Sequence, residues 1–185
     1  MKKSVFLTTM FCLLAISAFA QDKKTKDFSG SWTLDVSKSK LDERVRIESM
    51  TLNVSQTEKE LKIETATKRA PRTEGEMPNG GMRRGGGGGR MGGGDGTTVY
   101  SLDGKETTSP LSGGQSGGTA AMKAEFNNDK LKLTSTRKIS SPMGDFTLIT
   151  KETWEILDGG KSLKIVRESE TPRGNVSSQM IFTKK

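Results

Sequence analysis

Carboxylates are the side chains best placed to do acid–base chemistry, because the chain has no histidine. The candidates lie in predicted strands or turns: Glu125, Asp129, Glu152, Glu155 and Asp158. Glu152 differs from the rest because it shares a period-two face with Phe146, Leu148, Trp154 and Ile156. If that face points inward, a buried carboxylate would have a raised pKa and could serve a site. The alternative, which we favour, is that Glu152 pairs with a nearby Lys or Arg, or lies near an open strand end.

Other catalytic machinery is missing from the sequence. There is no Gly-x-Ser-x-Gly motif, and the single cysteine, Cys12, lies within an N-terminal apolar run. Without cysteine or histidine beyond that run, thiolate catalysis and His-based metal sites are excluded. Asn127–Asp129 and Asp158–Gly160 are typical of turns and lack the ligand density of a calcium loop. We therefore predict a protein that is not an enzyme and has no cofactor and no metal site.

A second set of candidate residues is aromatic and apolar. We predict that the side chains lining a ligand cavity include Trp32, Leu34, Tyr100, Phe126, Phe146 and Trp154. The alternative is that they simply fill the core. A barrel of about eight strands encloses either packed side chains or one small ligand. The sequence leaves both possibilities open.

The elements that must position these residues are β-strands. Apolar residues recur with period two from Trp32 to Phe182, and turn residues such as Asp103-Gly104 and Asp158-Gly159-Gly160 interrupt them. We predict an all-β fold of roughly eight to ten strands, an antiparallel up-and-down β-barrel or a related sandwich. The best helical candidate, residues 37–44, makes at most one or two turns.

The N-terminus has the three parts of a secretory signal. Lys2 and Lys3 precede an apolar run over 5–19, and Ala18-Phe19-Ala20 fits the cleavage rule. The run of roughly 16 residues is shorter than the about 20 that span a bilayer. We expect residues 1–20 to be cleaved and the protein to be exported, either periplasmic or extracellular.

The remaining chain suits one domain. We predict a flexible lead-in over 21–27, followed by a single β domain over 28–185. A Gly/Arg-rich insert at about 71–96 buries almost nothing, so we expect it to be disordered. The insert has no aromatic residue to stack on bases, and we predict no binding of nucleic acid.

The sequence also resembles a known group of proteins. Phe28-Ser29-Gly30-Ser31-Trp32 resembles the Gly-x-Trp opening of lipocalins, in which the tryptophan begins the first strand and plugs the closed end. In lipocalins a late arginine packs over that tryptophan, and Lys184 stands where this arginine would be expected. Further segments are similar to small exported bacterial lipocalin-like (calycin-type) proteins of undefined function: Trp32–Asp35 with Ser37–Ser39, Tyr100–Glu106, Asp158–Leu163 and Phe182–Lys185. The resemblance implies a lipocalin-like β-barrel.

Two functions are compatible with these observations. The first is an exported barrel that binds a small apolar or amphiphilic ligand. The second is a non-enzymatic envelope protein with a packed barrel and a working surface or Gly/Arg-rich loop. The formal charge of +8 becomes +6 once Lys2 and Lys3 are removed with the signal peptide. A modest positive charge favours loose association with anionic surfaces and identifies no partner, and the alternative that we favour is a well-solvated surface. We expect a monomer with no membrane span after signal cleavage.

Overall fold

The computed structural model describes residues 26–42, 46–70, 95–111, 117–141, 144–172 and 174–185. The predicted signal peptide at 1–20 and nearly all of the predicted insert, residues 71–94, lie outside these ranges. Of the predicted lead-in, Lys26 and Asp27 are described and are exposed. Gly96, the last residue of the predicted insert, begins a strand.

Within the described residues the fold consists of ten strands. In chain order they are β1 (Gly30–Leu34), β2 (Ile47–Gln56), β3 (Glu60–Arg69), β4 (Gly96–Ser101), β5 (Thr107–Pro110), β6 (Gly117–Asn127), β7 (Lys130–Ser141), β8 (Gly144–Leu157), β9 (Ser162–Thr171) and β10 (Gly174–Lys184). Short 3₁₀ turns occur at Val36–Lys38 and Asp158–Gly160. The helical candidate at 37–44 thus overlaps the first of these turns at Ser37 and Lys38.

The strands form one sheet in the order β4-β3-β2-β1-β10-β9-β8-β7-β6-β5, and every neighbouring pair is antiparallel. Pairing of β1 with β10 joins the first strand to the last. The sheet curls until β4 lies beside β6, which leaves a seam between β4 and β5. The predicted up-and-down antiparallel barrel is confirmed, as a nearly closed barrel.

Alternation along each strand explains why the sheet curls around one interior. Leu131 and Leu133 of β7 are buried, whereas Lys130 before them and Lys132 between them are exposed. Side chains of successive strand residues point to opposite faces, so this pattern places one face inside and one in solvent. Tight turns join such strands: Asn128 has φ 55° between β6 and β7.

The buried core occupies one half of the interior, which we call the filled end. It is built from inward apolar residues of most strands: Trp32, Leu52, Val54, Leu61, Ile63, Ala124, Leu131, Leu133, Trp154, Leu163, Ile165, Met180 and Phe182. Phe28 enters this core from before β1 and is fully buried. Its ring lies edge-on to Trp154, with centroids 6.1 Å apart, and its carbonyl accepts a 3.0 Å hydrogen bond from Trp32 Nε1. The chain before β1 therefore plugs the barrel.

The Gly-x-Trp segment has a packing role. Gly30 has φ +142°, and a Cβ added there would lie 2.6 Å from Lys184 Cε. Lys184 runs past this gap and places Nζ 5.1 Å from the centroid of the Trp32 ring. An ammonium at this distance from an indole is attracted by the ring quadrupole. The position expected for the lipocalin arginine is thus filled by a lysine that makes a similar contact.

Candidate ligand cavity

The other half of the interior is not filled. A cavity of about 160 Å³ lies between β2 and β3 on one side and β8, β9 and β10 on the other. Its lining residues are Leu41, Asp42, Ile47, Met50, Thr67, Arg69, Leu148, Thr150, Arg167, Ser169, Glu170, Thr171, Val176, Ser178 and Met180. The interior is therefore packed at one end and open to a small guest at the other.

The wall of the cavity is amphipathic. Apolar side chains come from β2, β8, β10 and the segment after β1, namely Ile47, Met50, Leu148, Val176, Met180 and Leu41. Hydroxyls and guanidinium groups come mainly from β3 and β9. An apolar lining with a few placed polar groups is typical of sites for small molecules.

A charged pair lies beside the cavity. Arg167 Nε donates a 2.7 Å hydrogen bond to Glu152 Oε1, and Trp154 Nε1 donates one of 2.7 Å to Glu152 Oε2. The side chains of Arg167 and Glu152 are only 19% and 13% exposed. The interpretation that Glu152 pairs with a nearby basic residue is confirmed. Both carboxylate oxygens of Glu152 therefore accept hydrogen bonds, which gives this side chain a structural role.

Tyr100 and Arg137 belong to the same interior electrostatic environment. Burial raises the pKa of Tyr100, and the negative charge of Glu152 raises it further. The positive charges of Arg137 and Arg167 act in the opposite direction on that pKa. Tyr100 is 7% exposed and is therefore held as a neutral phenol at ordinary pH.

Two groups on the cavity wall have unused hydrogen-bonding capacity. Thr67 Oγ1 is buried and has no hydrogen-bond partner. Arg167 uses Nε for Glu152, and none of its bonds within the described residues involves the two terminal nitrogens. A guanidinium carries five N–H donors, so four remain for another acceptor.

The residues predicted from sequence to line a ligand site lie mostly elsewhere. Trp32, Leu34, Tyr100 and Trp154 are buried in the core, and Phe126 packs against it. Phe146 lies in a shallow depression with Ile139 and Thr147. Apart from Phe146, these residues thus belong to the core cluster or pack against it, and the cavity is lined by other side chains. Their role in lining a ligand site stays a prediction.

Sequence reasoning missed the polar part of the cavity wall. The inward face of β3 begins with Leu61 and Ile63 and continues with Thr67 and Arg69. The same change from apolar to polar occurs on β9, where Leu163 and Ile165 are followed by Arg167, Ser169 and Thr171. Extending each period-two face beyond its apolar residues would have identified these side chains.

The similarity of this chain to known proteins is limited to solved structures. No family model matches the sequence, and no curated protein matches it. Among solved structures, the chain is similar to the zebrafish ileal bile acid-binding protein in complex with cholic acid. The TM-score is 0.47 and the identity 15%, over 85% of this chain and 98% of that one.

Two features are absent from the described residues: a metal-binding cluster and a membrane-spanning helix. Within those residues, no group of three or more His, Cys, Asp or Glu side chains is arranged to hold a metal ion. No helix in the same ranges combines the length and the apolarity needed to cross a bilayer.

Proposed function

We propose that this protein binds a small apolar or amphiphilic molecule in the interior cavity. The observation that carries the proposal is the cavity itself, which remains in a barrel whose other half is densely packed. Packed interiors contain few voids larger than a water molecule, so a space of about 160 Å³ needs an explanation. An unpartnered hydroxyl on its wall, Thr67 Oγ1, fits a site completed by a guest.

The size of the cavity limits the guest. Typical pockets for drug-sized ligands have volumes of roughly 300–1,000 Å³, and this cavity is smaller. The guest we propose is therefore a short chain or a single ring, or the end of a longer molecule.

We also propose that binding takes place outside the cytoplasm. Support comes from the N-terminal sequence, with Lys2 and Lys3 before an apolar run and Ala18-Phe19-Ala20 at its end. The mass of the processed protein tests this: a chain beginning at Gln21 is expected. A chain that keeps residues 1–20 would contradict export by this route.

The binding proposal is tested with a neutral, polarity-sensitive dye, Prodan, titrated against the purified protein. Ser178 points into the cavity from β10, and its neighbour Ser177 is exposed on the outer face of the same strand. We expect saturable binding that falls at least tenfold in Ser178→Phe, because the ring occupies the cavity. Ser177→Phe, the matched control, should bind as the parent does.

Two outcomes would overturn the proposal. One is the absence of saturable dye binding to the parent protein. The other is equal binding by parent, Ser178→Phe and Ser177→Phe, which would place the dye on the surface. Far-ultraviolet circular dichroism of both variants checks that each retains the β-barrel.

A further inference from the structure

Resting on the proposed function, we infer that the preferred ligand carries an anionic head, held by Arg167 and Arg69 on the polar side of the cavity. The inference concerns the charge of the guest, whereas the proposed function concerns only its presence. It depends on which hydrogen-bonding groups of the wall are already used and which are left over.

The acids beside the cavity have partners of their own. Glu152 accepts hydrogen bonds from Arg167 Nε and Trp154 Nε1, each of 2.7 Å. Glu170 pairs with Lys151 Nζ at 2.9 Å, and Asp42 takes part in an interaction of its own. These carboxylates are therefore poorly placed to attract a cationic guest.

The donors on the wall are less fully used. Arg167 keeps both terminal nitrogens for another acceptor, as described above. Arg69 also lines the cavity, and the described residues provide no ion-pair partner for it. Thr67 Oγ1 lies buried on the same strand, two residues before Arg69, without a partner. The carboxylate acceptors of the wall are thus already engaged, whereas several of its donors still lack an acceptor.

A carboxylate supplies that acceptor. Its two oxygens match the fork of a guanidinium, and charge-assisted hydrogen bonds are about twice as strong as neutral ones. The apolar wall formed by Leu148, Val176 and Met180 would receive the chain attached to the head. The chemical class that fits both parts is a single-chain amphiphile with an oxyanion head, such as a medium-chain fatty acid.

Isothermal titration calorimetry with three ligands of one chain length tests the inference: octanoate, 1-octanol and octylammonium. We expect octanoate to bind at least tenfold more tightly than 1-octanol, and octylammonium to bind most weakly. Arg69→Gln, an exposed position, should weaken octanoate binding several-fold and leave 1-octanol binding unchanged.

A second variant addresses Arg167 without leaving a lone buried charge. Glu152→Gln combined with Arg167→Met removes both members of the pair, and it should bring octanoate affinity down to that of 1-octanol. Thr67→Val removes the unpartnered hydroxyl and should weaken octanoate binding. Thr33→Val is its matched control, because Thr33 Oγ1 is also buried and unpartnered but lies on the outward face of β1.

The results separate this inference from the proposed function. If octanoate binds no more tightly than 1-octanol, the inference fails even where Prodan binding and the Ser178→Phe result hold. The inference also fails if the preference for octanoate survives in both arginine variants. Loss of Prodan binding in the parent protein would remove the proposed function and the inference together.

Discussion

Arg167 Nε lies 2.7 Å from Glu152 Oε1 inside the barrel, where β8 and β9 pair these two residues directly. Both side chains are largely shielded from solvent. A pair of this kind is costly to break from one side, because the remaining charge stays buried without its partner.

This pair predicts unequal effects of single and double substitutions. Arg167→Met should lower the free energy of unfolding by about 3 kcal/mol, since it strands the Glu152 carboxylate. Adding Glu152→Gln should recover part of that loss, because no charge then remains. The measurement is urea denaturation of the parent, Arg167→Met, Glu152→Gln and the double variant. Together the four free energies of unfolding give the coupling free energy between the two side chains. Additive losses would show that the two side chains do not depend on each other.

Gly30 and Gly96 allow crowding to be separated from backbone strain. Both have positive φ, +142° and +148°, but only Gly30 has Lys184 in the space of a Cβ. Alanine at either position should cost about 1–3 kcal/mol through strain. Gly30→Ala should lose about 1 kcal/mol more, because Lys184 must leave the Trp32 ring.

A cycle with Lys184 checks the cause of that difference. Lys184→Ala should destabilise the parent but have no further effect in the Gly30→Ala background. Thermal unfolding, followed by tryptophan fluorescence, measures each variant. Equal losses for Gly30→Ala and Gly96→Ala would contradict a role for the lysine contact.

Tyr100 predicts how stability changes at high pH. Its pKa is raised in the folded protein by burial, above the value of about 10 for an unfolded chain. The unfolded state therefore loses its proton first, so the stabilisation is complete below about pH 10 and is lost as pH rises above it. The slope from this group approaches about 1.4 kcal/mol per pH unit.

The measurement is urea unfolding between pH 8 and 11 for the parent and for Tyr100→Phe. Subtracting the two curves of unfolding free energy against pH removes the contribution of lysine titration, which both proteins share. The free energy of unfolding should decline more steeply with pH in the parent. Tyr100 is the only tyrosine, so tyrosinate absorbance near 295 nm reports on it alone. Ionisation near pH 10 in the folded protein would contradict the burial effect.

Phe28 predicts that the domain depends on residues before the first strand. Its ring is fully buried between Trp154 and Phe126, with centroid distances of 6.1 and 6.5 Å. Phe28→Ala should lower the free energy of unfolding by about 3–5 kcal/mol, through lost burial and a cavity. Phe146→Ala is the comparison, since Phe146 is only partly buried and should cost less. Denaturant unfolding measures the free energy of unfolding of both variants. Equal losses of that free energy would mean that Phe28 does not plug the barrel.

Local periodicity was enough to place most of the strands. Alternation around Leu131 and Leu133, or Leu163 and Ile165, predicts a strand with one buried face, because pleating alone separates the two sides. β5 was not foreseen, since Thr107–Pro110 has no apolar alternation and is positioned by its pairing with β6. Glu152 could be assigned to an inward face for the same local reason.

Only the tertiary structure decided which inward side chains meet. Register between β8 and β9 sets Arg167 opposite Glu152, and pairing of β1 with β10 brings Lys184 over Trp32 across nearly the whole chain. The cavity arises in the same way, because its wall combines residues from strands far apart in sequence. Periodicity depends on neighbours along the chain, whereas a cavity and its charges depend on how the curled sheet brings distant strands together.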